Sequence, residues 1–392
     1  MLQAIICIKM IYPDMDSQPS RILICRSNPV SPDPRVEKEA AVLVEAGYHV
    51  RVIGWDRSAS LPLYEQKDGF DIHRIPIWSH YGMGLGNLSK LAAWQIRLFL
   101  WLRAHRKDFD TLHACDFDTV VPCLIMKSAF GKRLVYDIFD FYPDHLRNTP
   151  FWIKQIIRKL DYWIINNADG VILVDDKRRE QIRETRPRKL FIVYNSPKDI
   201  TIQKHNHEAS PKGKLHLVYI GLFQKERGLL QAAALMGKHP EWTLDMAGFG
   251  GDEIEIYKAC KDIPNIKWHG RVDYEKALEL SSQADVLFAT YDPAVPNHRY
   301  SSPNKLFEAM MLGKPIIVAR DTNMDRIVSE HDCGIIVSYG NDAEFENALI
   351  QLAGDPSLRK RLGENARKAY ETRYSWDIMK SRLIELYSQI HA

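Results

Sequence analysis

The sequence predicts an α/β protein made of two doubly wound, parallel-sheet domains. Three observations carry the prediction. The chain has 392 residues, more than one hydrophobic core usually serves. A strand–helix–strand unit fills residues 21–54, and its pattern recurs along the chain. A polar, proline-bearing break over 196–214 divides the recurrence into halves.

The elements follow in chain order. The start, MLQAIICIKMIYPDMDSQPS, has an apolar patch but no basic stretch before it and no small-residue cleavage site, so it reads as no signal peptide. RILIC has strand length, and a loop with Pro29, Pro32 and Pro34 follows it. In RVEKEAAVLVEAG, residues Val36, Ala40, Leu43 and Val44 share one helical face, and Gly47 suits the close. HVRVIGW resumes as a strand, which implies a parallel pair and a right-handed crossover. FDTLHA (109–114), RLVYDIF (133–139), GVILV (170–174) and LFIVYN (190–195) continue the first half. After the break come LHLVYIG (215–221), WTLDMAG (242–248), IKWHG (266–270), DVLFATY (285–291), PIIVA (315–319) and CGIIV (333–337). An amphipathic helical stretch closes the chain over roughly 341–392. The domains are therefore placed at 1–200 and 212–375, with a helix over 376–392 expected to pack back toward the first. In such sheets ligands sit beyond the carboxyl ends of the strands, and here also in a cleft between domains.

Composition excludes several classes. A hydrophobic fraction of 45% and a charged fraction of 26% argue against disorder, collagen and coiled coil. Lys and Arg total 53 against 50 Asp and Glu, too balanced for a dedicated nucleic-acid binder. The six cysteines are scattered without C-x-x-C spacing, which points to a reducing compartment and no structural zinc. No run of about 18 apolar residues offers a spanning helix.

SSPNKLFEAMMLGKPIIVA (301–319) carries the most chemistry. Ser302 suits the N-cap, Pro303 the first helical position, and Gly313 the close before the next strand. The helix start then offers N–H groups near Asn304 and Lys305 to an anion, phosphate above all. Asn304 and Glu308 are four apart and face one ligand. A carboxylate beside a phosphate site suits the vicinal hydroxyls of a ribose. An ordinary surface Glu is the other reading of that position.

With DPRVEKEAAVLVEAGYHVRVIGW, LVYIGLFQKERGL, LDMAGFGG, IKWHGRV, NKLFEAMMLGKPIIVA and DPSLRKRLGENARKAYETRYSW in this order, the chain resembles the retaining nucleotide-sugar glycosyltransferases of family four, the group 1 glycosyltransferases. The resemblance spans roughly 21–385. It implies the GT-B fold, two Rossmann-like domains facing across a cleft. It makes Glu308 the ribose-binding second Glu of a Glu–seven residues–Glu motif and Arg227 the occupant of the phosphate-binding Lys position. Gly221, Gly248 and Gly250 fall at strand-end turns that let backbone approach the nucleotide, and Arg271 and Val272 fall where backbone brackets the base. Ser302, Asn304 and Lys305 complete the donor side. Three positions depart from the family pattern. Tyr300 stands where the first motif Glu belongs. Leu222 replaces a phosphate-binding Arg, leaving Lys225 or Lys305 to compensate. Phe139 replaces a sugar-contacting His.

On the acceptor side, His113 ends a strand and Asp116 follows in the next loop, with Asp137 and Asp140 at another strand end. Asp140 is a candidate to orient or deprotonate an acceptor hydroxyl. Asp116-Phe117-Asp118 has the form of a metal-binding D-x-D, yet no Cys or His cluster supports a metal, and none is expected. Two stretches, 87–107 and 150–164, set Trp94, Trp101, Trp152 and Trp163 among lysines and arginines. That pairing suits a membrane interface, and equally suits helices that cover a sheet. Residues 1–195 hold 28 Lys/Arg against 23 Asp/Glu.

Together these features and the resemblance imply a metal-independent, hexosyl-type transferase. It would move a sugar from a nucleoside diphosphate, without a cofactor, to a carbohydrate or lipid-linked acceptor in polysaccharide or glycoconjugate synthesis. Its expected place is the cytoplasm, including the inner face of the cell membrane. A nucleotide-sugar epimerase of the same fold and a non-catalytic nucleotide-sugar binder are the alternatives.

Overall fold

The computed structural model describes residues 20–79, 88–146, 149–200 and 210–392. The apolar start, residue 87 of the first tryptophan-bearing stretch and the middle of the break lie outside them. The chain forms two units. One runs to Val193 and takes in Met379–Ala392, and the other is Tyr194–Ile378.

The first unit contains β1 (Arg21–Arg26), α1 (Pro34–Glu45), β2 (His49–Asp56), β3 (Tyr64–Lys67), β4 (Phe70–Pro76), α2 (Leu88–Ala104), β5 (Thr111–Cys115), α3 (Phe117–Phe130), β6 (Arg133–Ile138), α4 (Tyr142–His145), α5 (Phe151–Asn167), β7 (Gly170–Leu173) and β8 (Leu190–Ile192). Its eight strands lie in the order β3-β4-β2-β1-β5-β6-β7-β8. Among them β3 runs antiparallel to its neighbour. The hairpin that adds β3 turns on Asp68 (φ 47°) and Gly69 (φ 82°). Two successive left-handed residues match the twist of paired strands, which is why Asp-Gly is favoured there. Asp33 starts α1 by accepting the Val36 N–H, with Pro34 at the first helical position. The closing segment belongs to this unit: the Tyr387 hydroxyl lies 2.8 Å from His113 Nδ1, and His391 Nε2 lies 2.8 Å from Thr111 Oγ1. Gly170 makes room for it, since a Cβ there would meet Leu386 at 2.8 Å.

The second unit contains β9 (Leu215–Leu222), α6 (Leu229–Lys238), β10 (Trp242–Phe249), α7 (Glu253–Cys260), β11 (Ile266–Gly270), α8 (Tyr274–Gln283), β12 (Val286–Ala289), α9 (Asn304–Leu312), β13 (Ile316–Ala319), α10 (Met324–His331), β14 (Gly334–Val337), α11 (Asp342–Gly354), α12 (Pro356–Ala369) and α13 (Trp376–His391), the last continuing into the first unit. Its sheet is parallel, ordered β11-β10-β9-β12-β13-β14. Leu217, Tyr219, Met246, Phe288 and Ile317 of the strands pack against Leu229, Met236 and Leu349 of the helices. The chain winds outward from β9 and restarts at β12 on its other side, so strand order reverses there. The loops beyond β9 and β12 diverge and leave a crevice at their carboxyl ends. In the first sheet the corresponding reversal lies between β1 and β5.

Candidate active site

At the second unit's reversal point, Gly221 (φ 153°) is the penultimate residue of β9, and a single 3-10 turn, Lys225–Arg227, leads to Gly228 (φ 70°) at the start of α6. A Cβ on Gly228 would sit 2.2 Å from Thr290 Oγ1, just past β12. Glycine therefore lets the two arms of the crevice touch. The Thr290 hydroxyl donates to the Arg227 carbonyl at 3.2 Å and ties them together. The Arg227 guanidinium lies 3.7 Å over the Tyr291 ring, a stacked placement a flexible ammonium holds less well.

The helix α9 points its start into the same place. The sequence assigns its cap to Ser302 and its first residue to Pro303. The structure starts the helix one residue later, with Pro303 at the cap position (ψ 151°) and no side-chain cap among the described residues. Extended ψ is what a proline-bounded entry favours, and the boundary moves with it. Ser302 Oγ is buried and has no hydrogen-bond partner among the described residues.

Lys305 is the most unusual group. Its ammonium nitrogen is buried, has no hydrogen-bond partner among the described residues, and sits 3.7 Å over the Tyr219 ring. Burial first and Arg227 second push its pKa well below that of an ordinary lysine, while Glu308 opposes them. Gly221 leaves room for it, since a Cβ would lie 3.0 Å from Lys305 Nζ. An isolated buried cation is costly unless an anion meets it. One turn on, Glu308 is 8% exposed, which removes the surface-Glu reading. The Tyr274 hydroxyl hydrogen-bonds it, and burial together with that carboxylate raises the Tyr274 pKa.

The other donor-side residues fall nearby in the fold with different weights. Gly248 and Gly250 are required by the chain itself: a Cβ would lie 1.8 Å from the Gly221 carbonyl oxygen or 2.5 Å from that of Phe223. Arg271 places its guanidinium 4.8 Å over the Phe249 ring, followed by Val272 after β11. Tyr300 ends the turn Pro296–Tyr300 ahead of α9. Of the two lysines that could replace the missing arginine at Leu222, Lys225 pairs with Glu255 at 2.7 Å at the surface. Lys305 is therefore the cation that still wants an anion.

The first unit corrects the acceptor-side expectations. His113 and Asp137 are fully buried, so neither lines a surface. Arg35 holds Asp137 with two nitrogens, at 2.9 and 3.3 Å, and also pairs with Glu39 at 3.0 Å. Burial opposes ionisation of Asp137, but Arg35 and His113 win and lower its pKa; Glu39 is instead pushed up to about 7, by burial above all. Asp116 ion-pairs with Arg26 and accepts the Phe139 N–H at 2.9 Å. Asp118 takes the Ser27 hydroxyl at 3.0 Å, so the D-x-D is spent on the protein's own groups. Phe139 carries the guanidinium groups of Arg26 and Arg35 at 4.3 and 4.7 Å from its ring centre. Asp140 alone keeps a substantially exposed side chain, 42%, and pairs with Arg178 at 2.7 Å.

Two family models match successive parts of the chain: a glycosyl transferase 4-like domain over residues 32–196, and glycosyl transferases group 1 over residues 201–369. The chain belongs to the group 1 glycosyltransferases. An uncharacterized glycosyltransferase of Methanocaldococcus jannaschii is 25% identical over 299 residues, which cover 68% of this chain and 74% of that protein. Among solved structures, sucrose-phosphate synthase from Thermosynechococcus elongatus superposes with a TM-score of 0.78 at 15% identity, over 95% of this chain and 99% of that one. Anabaena HepE in complex with UDP-glucose gives 0.67 at 16% identity, over 94% and 99%. The fold is GT-B.

Residue patterns alone did not reveal four side chains of this glycosyltransferase's site: Tyr219, Tyr274, Thr290 and Tyr291. Tyr274 begins a helix, Thr290 and Tyr291 follow β12, and Tyr219 lies within β9, so position relative to the crevice is the signal, and only strand order reveals that. In the first unit, Glu39, His113 and Asp137 bring one ligand atom each within 4.8 Å, the geometry of a metal cluster. Arg35 already supplies the cation between the two carboxylates, so the donor set suits an internal ion pair.

Proposed function

We propose that this enzyme transfers a hexosyl group from a nucleoside diphosphate sugar to a carbohydrate or lipid-linked acceptor, with retention of anomeric configuration. The supporting observation is the buried, hydrogen-bond-deficient ammonium of Lys305 beside Arg227 and the uncapped start of α9. A diphosphate supplies what those groups lack: it accepts hydrogen bonds from all three and neutralises both cations. Glu308 then accepts the ribose hydroxyls, with Ser302 and Asn304 beside it and Arg271 and Val272 toward the base. As the bond to the sugar breaks, negative charge grows on the diphosphate. Cations fixed in a dry site stabilise that charge more than they stabilise the ground state.

No metal is required in this reading, because Arg227 and Lys305 carry the charge a divalent ion would otherwise carry. Retention follows from attack on the face the leaving group vacates, with Asp140 orienting the acceptor hydroxyl. The place of action is the cytoplasm, at the inner face of the cell membrane, and the product feeds polysaccharide or glycoconjugate synthesis. HepE, of the same fold, has been solved with UDP-glucose, which makes UDP-glucose the first donor to try. Calorimetric titration of UDP- and GDP-sugars, followed by assays of hydrolysis and transfer in EDTA, tests the reading. Donor binding and turnover in EDTA are expected. Binding without turnover favours a non-catalytic binder, and recovery of activity only with Mg²⁺ or Mn²⁺ contradicts the metal-free reading.

A further inference from the structure

Of the two aromatic, basic stretches in the first unit, the structure separates one from the other. In α2, Trp94 is fully buried and stacks on Trp55 at 5.4 Å, with Leu98 and Leu102 buried below it, and Trp101 is half-buried, so neither tryptophan of that helix stands out at the surface although Ile96 and Leu100 do. In α5 the arrangement is reversed. Ile164 and Ile165 face the core, and Trp152, Ile156, Leu160 and Trp163 are exposed at 65, 59, 38 and 54%. Their spacing of four, four and three residues sets them along one outward stripe. A helix apolar on both sides is not explained by covering a sheet. Between α3 and α5 the stripe opens into a groove of about 460 Å³ lined by Val121, Leu124, Ile125, Ala129, Leu160 and Trp163.

The charges identify the occupant. The basic residues of α5 are Lys154, Arg158 and Lys159. Its one acid, Asp161, is buried and accepts the Tyr136 hydroxyl at 2.9 Å. Asp144 of α4 pairs with Arg158 at 3.3 Å, which leaves Lys154 and Lys159 as the cations that border the outward apolar stripe without an acid from α5. A second copy of this chain would set those cations against their own equivalents. Among the described residues no helix is long and apolar enough to cross a membrane. We propose that the α3–α5 face of the first unit seats on an anionic lipid bilayer, the stripe entering the interface and the groove receiving lipid acyl chain. Tryptophan rings settle at that depth, and lysine and arginine reach from it to lipid phosphates. This rests on the membrane-face location proposed above and names the surface that makes it.

The test is co-sedimentation of the full chain with phosphatidylcholine vesicles, with and without phosphatidylglycerol, for the wild type, Ile156→Ser/Trp163→Ser, and Lys159→Glu. All three positions are exposed, so circular dichroism and UDP affinity should be unchanged. The wild type should bind anionic vesicles and release as salt screens the cations. The serine pair should weaken partitioning about tenfold or more, and Lys159→Glu should weaken it on anionic vesicles only. No binding by the wild type overturns both the location and the surface. Binding that the serine pair leaves intact overturns the surface alone. Self-association that the serine pair abolishes, without vesicle binding, assigns the face to a second copy and also overturns the proposal. None of these outcomes bears on the transfer reaction, which nucleotide binding and turnover judge separately.

Discussion

The two sheets reverse strand order in the same way, one between β1 and β5 and the other between β9 and β12, yet the groups gathered there are opposites. In the first unit the buried charges gathered near the strand ends meet partners from the chain: Arg26 with Asp33 and Asp116, Arg35 with Glu39 and Asp137. In the second unit Lys305 is buried against aromatic rings without a hydrogen-bond partner among the described residues, next to Arg227. Topology supplies a crevice in both cases. Whether the chain has already filled it with its own counter-charges decides which one can hold a ligand.

The largest expected effect breaks the satisfied end. Asp137→Asn leaves Arg35 and Glu39 buried with their balance lost, and breaking such a pair costs about 3–5 kcal/mol. Urea denaturation should show that loss in the first unit, while nucleotide affinity of the folded protein stays at the wild-type value. Normal stability with loss of transfer would instead put Asp137 in the chemistry.

Next comes the unsatisfied end. Lys305→Met keeps chain length and helix propensity but removes charge stabilisation of the leaving diphosphate. Turnover should fall by about 10²–10³ at saturating donor. Its melting temperature should match or exceed that of the wild type, because an uncompensated buried cation is gone. A lower melting temperature with normal turnover would make Lys305 structural.

Glu308→Gln should weaken donor binding on the order of 10²-fold, the equivalent of about 2–3 kcal/mol for a charge-assisted acceptor. Calorimetry reads it, and unchanged affinity in a folded variant would return Glu308 to a structural role.

The smallest effect compares pH responses. His216 has Gln283 carbonyl oxygen 3.0 Å from Nδ1 and an Asp245 oxygen 2.6 Å from Nε2, so both nitrogens face acceptors. Burial lowers its pKa, but the Asp245 and Gln283 hydrogen bonds outweigh that and raise it. A raised folded-state pKa means stability that is full below the unfolded value, about 6.5, and lost as pH rises through the folded value. Urea midpoints of the second unit should therefore fall from about pH 6 toward pH 8. His216→Gln should flatten that slope, and an unchanged slope would assign it elsewhere.

Much of this contrast was legible in the chain. Strands betray themselves by short apolar runs, and 301–319 carries cap, cation and carboxylate within one helix, so its chemistry is local. The Asp68-Gly69 hairpin was equally local, but polar alternation around it hid both strands it joins, β3 and β4. His113 and Asp137 were not legible as core groups. Their environment is set by Arg35, 102 residues from Asp137, and by Tyr387 at the far end of the chain. A polar residue at a strand end looks the same in sequence whether a ligand or a distant arginine awaits it.

The second unit's reversal point is proposed to hold a diphosphate through Lys305. The most direct measurement is calorimetric titration of wild type and Lys305→Met with UDP and with uridine, and with GDP and guanosine if uracil is not the base. The wild type should favour the diphosphate over its nucleoside by about 10²-fold or more, as charge-assisted contacts require. In Lys305→Met that preference should shrink by at least about tenfold, while nucleoside affinity changes little. An undiminished preference in the folded variant would contradict the proposal.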